Sequence, residues 1–371
     1  LAFAEPIGGT EPLRRGIRGI AKDGQLKYVV LIGDAPSTAD SPTQNPRSTI
    51  ATCYVPAKVN SRWGPEKHIA SDTPYADVDG DDVPDIAIGR IPVRSASELA
   101  TVLRKVIRYE KQSDHGSWEK CLSIVSGCGG FGAVADAMIE GAGRQVVEQT
   151  VPPGYDVRHI CAASVKSDGK EPADFGSQAR QELSAGGLAW VYVGHGLPTE
   201  LTGAIAANGK PRSILSTRDV PGLRCGPHNP LAVLIACYTG AMDAPQGCLA
   251  ESLVLAEQGP VAVIASTRVS MPYGNTVMGY ELLRACFQDQ PDTLGEVMRL
   301  AQRRTSASPA DDQMRVMLDG IAQLVSPPPV DLATERREHV LMYHLIGDPL
   351  LRLHRPVTDV AQKAGATTQL K

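Results

Sequence analysis

Apolar residues in this chain come in short continuous runs separated by longer amphipathic stretches. Residues 27–32, 188–193, 231–236 and 261–266 are almost wholly apolar, 122–126 is apolar at three of five positions, and turn-forming residues flank these runs. Runs of about 4 to 8 such residues read as strands buried on both faces of a mostly parallel sheet. Between them lie stretches of helical period. The clearest covers 95–111: Ser95 stands at the N-cap, Glu98 follows three residues on as a capping box, and Leu99, Val102, Leu103, Val106 and Ile107 form one face. Further helices are expected over 13–21, 133–148, 175–183, 277–287, 294–304, 313–324 and 335–345, with Pro327-Pro328-Pro329 as a break. A strand is also expected at 85–89, and another at 157–162. Residues 35–75 show almost no period and read as a long loop on the rim of a site. The stretch 197–230 is polar and Pro-rich, an excursion able to build one wall of a cleft. No internal repeat and no clean linker divides the pattern. It predicts one α/β domain over 1–356, a mostly parallel sheet flanked by helices, and a tail at 357–371.

Two of the runs deliver reactive side chains where they stop. Leu188-Ala-Trp-Val-Tyr-Val-Gly-His195-Gly196 ends in an imidazole, and Leu231-Ala-Val-Leu-Ile-Ala-Cys237 ends in a thiol. Sites in open α/β sheets lie outside the carboxyl ends of the strands. If these two strands are neighbours, His195 and Cys237 stand side by side, the minimum kit for thiol nucleophilic catalysis. A lone Cys is more often core filler. Here Gly194 and Gly196 flank the His, leaving room for a substrate chain beside the backbone.

A second cluster is acidic. In Asp77-Val-Asp79-Gly-Asp81-Asp82-Val83-Pro-Asp85, carboxylates fall at positions 1, 3, 5 and 9 of a loop, with the Val83 carbonyl between. Ca²⁺ takes six to eight such oxygens. Asp82 stands where an EF-hand needs Gly, Ile88 where it needs Glu, and a strand follows instead of a helix. The expectation is therefore a dockerin-like structural Ca²⁺ loop with Asp77, Asp79, Asp81, Val83 and Asp85 as ligands. Its alternative is a solvated acidic turn. The Gly127-x-Gly129-x-x-Gly132 turn lacks the Gly-Lys-Ser/Thr of a phosphate loop, so nucleotide binding ranks low.

Composition narrows the field. A net charge of −4 leaves no electrostatic footprint for nucleic acid. No apolar run is long enough to span a bilayer. None of the eight Cys (53, 121, 128, 161, 225, 237, 248, 286) stands in C-x-x-C spacing, so a zinc ribbon is not indicated. With Cys237 free, seven remain, an odd number that argues against a disulfide scaffold.

The ordered motifs resemble the gingipain-type cysteine peptidases, family C25. His-Gly after a strand, Ala-Cys-x-x-Gly after the next, and Ala-Val-Ile-Ala-Ser-Thr after a helix carry the resemblance. So do Tyr28-Val-Val-Leu-Ile-Gly-Asp34, Asp85-Ile-Ala-Ile-Gly-Arg-Ile-Pro92 and Leu345-Ile-Gly-Asp-Pro-Leu-Leu-Arg-Leu353. Each is weak alone; together and in order they cover most of the chain. The resemblance implies a caspase-like fold in a chain truncated at its N-terminus, with a pro-segment or accessory domains outside it. It implies a cysteine endopeptidase acting on protein or peptide substrates, with backbone N–H groups of Gly196 and Cys237 as the oxyanion hole. Relatives that cleave after Arg or Lys need an acid in the S1 pocket, and Asp136 is the counterpart by position. Ser266 and Thr267 would line that pocket, with Pro272 and Tyr273 near its aromatic wall. Where some relatives carry an acid assisting the catalytic His, this chain has Cys128. The resemblance points to a secreted or cell-surface protein, whereas cysteine usage points away from an oxidising compartment. The rival reading is a catalytically silent member of the fold, serving as a calcium-stabilised binding or adhesion module.

Overall fold

A computed structural model describes residues 9–35, 49–130, 132–162, 173–205, 211–308 and 310–356. The expected tail at 357–371 lies outside the described residues. Strands are β1 (Tyr28–Ile32), β2 (Cys53–Pro56), β3 (His68–Ser71), β4 (Ala87–Ile91), β5 (Cys121–Ser126), β6 (Asp156–Cys161) and β7 (Ala189–Val193). They continue as β8 (His195–Leu197), β9 (Glu200–Ile205), β10 (Pro211–Ser216), β11 (Leu231–Ile235), β12 (Ala262–Ser266) and β13 (Tyr343–Ile346). Helices are α1 (Thr10–Ala21), α2 (Thr73–Ala76), α3 (Ala96–Glu110), α4 (Ala133–Thr150) and α5 (Ala173–Ala185). After them come α6 (Leu249–Leu255), α7 (Pro272–Arg284), α8 (Leu294–Ser306), α9 (Gln313–Val325) and α10 (Leu332–Met342).

Eight strands form the central sheet in the order β1-β4-β13-β12-β11-β7-β5-β6. Every pairing in it is parallel except β12 with β13. The order explains the composition of the strands. β7, β11 and β12 lie inside the sheet, and their largely apolar runs are buried on both faces, apart from Val193 at the end of β7. β6 is an edge, and its Asp156, Val157, Arg158 and His159 are exposed. Ser95 caps α3 as its sequence predicts, its hydroxyl accepting from the Glu98 N–H at 3.2 Å.

Three regions depart from the sequence pattern. The sequence pattern runs the last helix to 345; the helix ends at Met342 and residues 343–346 are β13, which seals the sheet between β12 and β4. The long rim loop contains a hairpin, β2 with β3, whose connecting residues 57–67 reach the candidate site. In addition, the excursion after His195 is a three-stranded antiparallel sheet, β10-β9-β8. The largest core covers the central sheet. A smaller one joins α4, α7 and α9 through Val146, Tyr273, Val277, Tyr280, Met314 and Leu318.

Candidate active site

β7 and β11 are neighbours in register, from Ala189 opposite Leu231 to Val193 opposite Ile235. The alignment persists past both strand ends, where the Gly194 N–H donates to the Ile235 carbonyl at 3.2 Å. His195 and Cys237 thus leave the sheet at the same end and from adjacent strands. His195 is exposed and Cys237 half-buried. Gly196 brings the two segments into contact: a Cβ there would lie 2.6 Å from the Cys237 carbonyl and 2.7 Å from the Thr239 methyl. Only glycine permits that approach. Gly196→Ala should push β8 off the Cys237 loop.

Tyr192 braces the first segment from below. Its ring is fully buried, and its hydroxyl sits between the carbonyls of His195 and Thr202. Burial pushes the phenol well above its ordinary pKa, so it remains a neutral donor. Residues 127–130, after β5, lie over the imidazole. His195 Nε2 is in hydrogen-bond contact with the Gly129 carbonyl, and Asp136 Oδ2 accepts the Gly130 N–H at 3.1 Å. A carbonyl can only accept, so this contact puts the proton on Nε2 in the resting arrangement.

The thiol is held from the other side. The Ser270 N–H points at Cys237 Sγ at 3.3 Å, and the Ser270 hydroxyl lies 3.8 Å away. The same sulfur lies 3.6 Å from the Ser270 carbonyl, to which the thiol can donate, so Ser270 fixes its position from both backbone groups. Tyr238, directly after the Cys, has φ of 61°, a left-handed conformation uncommon for an aromatic residue. It is fixed at both ends: its N–H donates to the Arg268 carbonyl at 3.1 Å, and its hydroxyl donates to Glu66 Oε2 at 2.7 Å. Arg268 is in turn clamped by Asp243 through two bonds of 2.9 and 2.7 Å. The loop carrying Glu66 is anchored by Glu338, which accepts the N–H groups of Val59 and Asn60 at 3.0 and 2.7 Å.

The residues expected to line the pocket fall in different places. Ser266 is fully buried, and its hydroxyl donates to the Arg268 carbonyl at 3.0 Å. Thr267 is also fully buried and donates to the Ala70 carbonyl at 2.8 Å. Neither hydroxyl is presented beside Cys237. Tyr273 belongs to the smaller core, with its hydroxyl donating to Asp319 at 2.6 Å and receiving Arg336. Pro272 is the first residue of α7. Asp136 does reach the site, through the turn that covers His195. Sequence reasoning missed Ser270, Tyr238 and Glu66. The one available signal was that 267–271 follow β12, which ends beside β11, so that Ser270 could return to the thiol.

In the acidic loop, one carboxylate oxygen each from Asp77, Asp79 and Asp85 lie within 4.8 Å of one another. Asp81 does not join them; its Oδ1 accepts the Val83 N–H at 2.8 Å. Arg303 approaches Asp85 at 3.4 Å. Burial raises the Asp77 carboxyl above the usual range despite the Gly80 N–H it accepts.

The same architecture recurs in solved structures. Gingipain R, an Arg-specific cysteine proteinase, is 20% identical with a TM-score of 0.61, over 95% of this chain and 70% of that one. The complex of RgpB pro- and mature domains from Porphyromonas gingivalis is 19% identical with a TM-score of 0.60, over 93% and 70%. A third structure, described only as a protease, gives 18% and 0.67, over 95% and 71%. At these identities the likeness establishes the fold alone. No curated protein matches the chain. The model of peptidase family C25 matches residues 8–354, nearly the whole sequence and both segments that carry His195 and Cys237; the chain belongs to that family.

Proposed function

We propose that this chain is a cysteine endopeptidase working through a Cys237–His195 dyad. The observation that carries the reading is the register of β7 and β11, which brings an imidazole and a thiol to one sheet end with Gly196 against the Cys237 backbone. The Cys237 thiolate attacks the scissile carbonyl carbon, and the N–H groups of Gly196 and Cys237 hold the resulting oxyanion. His195 exchanges its contact with Gly129 for one with the thiol, takes the proton, and delivers it to the leaving amine. Collapse of the tetrahedral adduct leaves a thioester on Cys237. Water, deprotonated by His195, then releases the acid and restores the thiol. Asp136 is retained as the acid for a basic P1 side chain, held beside the site by Gly130. The proposal takes protein or peptide as substrate. It includes a secreted or surface location and a pro-segment, in line with the family. Among the described residues no helix is long and apolar enough to cross a membrane. Cleavage of a mixed peptide pool by the wild type, with Cys237→Ala as control, tests the reading. An uncut pool, with Cys237 no more reactive to iodoacetamide than in unfolded protein, would leave the silent binding module in its place.

Within the same proposal the acidic loop holds a structural Ca²⁺. The convergence of Asp77, Asp79 and Asp85 supports it, since three like charges so close repel without a cation. The residues fit an oxygen-only donor set. The loop leads straight into β4, so its loosening would reach the sheet. EDTA should lower the melting temperature, and Ca²⁺ should restore the part owed to this loop where Mg²⁺ does not. Asp79→Asn should raise the Ca²⁺ concentration needed for that recovery. A melting curve insensitive to added Ca²⁺ after chelation would reduce the loop to a solvated turn.

A further inference from the structure

A separate cluster stands at the opposite end of β5 from the candidate active site. Ser126 at the far end of β5 leads into the turn over His195, whereas Glu119 precedes the first residue of the strand. Six residues of strand separate the two regions by about 20 Å. We propose that His115, Glu119 and His354 form a binding site for a divalent transition-metal ion of the Zn²⁺ class, independent of the dyad.

The Glu119 side chain is only 5% exposed, yet its ion-pair partners among the described residues are two imidazoles. His115 Nδ1 lies 2.8 Å from Oε1 and His354 Nδ1 lies 3.5 Å from the same oxygen. No Lys or Arg among the described residues forms an ion pair with it.

The orientation of His354 is decisive. Its Nε2 is 2.7 Å from the Tyr109 carbonyl, which can only accept, so Nε2 carries a proton. With the proton on Nε2, the neutral tautomer points a lone pair from Nδ1 at a carboxylate oxygen. Two acceptors facing one another, one of them buried, call for a cation between them. A proton fits poorly, because charge-assisted N–H···O bonds are about 2.7–2.9 Å long. A metal fits better: ligand atoms about 2.0–2.1 Å from a tetrahedral centre are about 3.3–3.4 Å apart. His354 and Glu119 already stand near that separation. His115 has to open by about half an ångström, and its side chain is 65% exposed and free to do so.

The surroundings are those of a ligand set held in place. The Tyr109 carbonyl fixes the His354 tautomer, as an outer-shell acceptor does in metal sites. The His354 N–H donates to the Tyr109 hydroxyl at 3.1 Å, and Tyr109 and Trp118 pack against the imidazole at ring separations of 4.9 and 5.3 Å. Two imidazoles and one carboxylate suit Zn²⁺ and its neighbours and disfavour Ca²⁺ or Mg²⁺. A bound ion would cross-link the region after α3 to residue 354, at the other end of the described fold.

The test uses the whole chain in a Cys237→Ala background, because thiolates also take zinc. After stripping with chelator, Zn²⁺ should bind with one equivalent by calorimetry and raise the melting temperature. His115→Ala, an exposed change that should leave the metal-free melting curve unmoved, should weaken binding at least about tenfold. Glu119→Gln and His354→Gln should abolish it. Co²⁺ in the same site should give the visible absorption of a four-coordinate ion. Absence of zinc binding in the parent, or equal affinity in His115→Ala and His354→Gln, would overturn the assignment.

Discussion

Cys237→Ala should reduce peptide cleavage to background while leaving the melting curve where it was. Loss of a nucleophile typically removes several orders of magnitude from kcat, about 10⁶ where the catalytic groups act as a unit. The fold should tolerate the change because Cys237 is only half-buried and sits in a turn outside the core. Its sulfur accepts one amide N–H, from Ser270, and no described strand pairing depends on it. His195→Ala should collapse turnover to a similar degree and slow alkylation of Cys237 by iodoacetamide at neutral pH. The two readouts separate two roles. If turnover falls and alkylation holds, Ser270 and the local field suffice to generate the thiolate, and His195 serves only the leaving amine and water. If cleavage survives in Cys237→Ala, the nucleophile is another residue and the dyad is wrong. The pair should not be additive, because both members act on one step.

How far this site is visible in sequence depends on which link is asked about. β7 and β11 are legible because a strand buried on both faces must be apolar at every position, and each run ends at a sharp polar boundary. That fixes where His195 and Cys237 leave the sheet. The walls are less legible, since strand ends do not specify where side chains turn. Ser266 and Thr267 stand at the end of β12, and both turn inward to backbone carbonyls. The chain then bends, and Ser270 is the residue that reaches the sulfur. β13 is hidden for another reason: no Gly or Pro separates it from α10, and the first turn signal is Gly347, after the strand. The β2–β3 hairpin has strands of four residues, too short for a period to show. The histidine–glutamate cluster is invisible because its members lie at 115, 119 and 354 and meet only through the tertiary fold.

The largest loss of stability should come from Arg90→Met. Arg90 lies on β4 within the motif Ile88-Gly-Arg-Ile, and its guanidinium is wholly buried. It grips Asp72 through two bonds, Nε to Oδ2 at 2.7 Å and Nη2 to Oδ1 at 2.8 Å. Nη1 donates to the carbonyls of Gly33 and Ile50, both at 2.9 Å, which ties the end of β1 to the start of the rim segment. Burial alone would push the Asp72 carboxyl up; Arg90 overrides it and holds the group below the usual range. In the wild type this pair therefore contributes stability that is present above the unfolded pKa and is lost as pH falls through the folded one. Removing the cation strands a buried carboxylate and should cost about 3–5 kcal/mol near neutral pH. The variant's Asp72 would then be raised instead of lowered. Its penalty should shrink between pH 7 and 5 as that carboxyl takes up a proton, since a raised group favours the fold at the acid side. Adding Asp72→Asn should recover part of the loss at neutral pH, because the double variant leaves no unpaired charge. Urea unfolding of the three proteins at two pH values measures all of this. A penalty below about 1 kcal/mol, or one that does not change with pH, would mean that water reaches Asp72 and that the pair is not the closed contact its geometry describes.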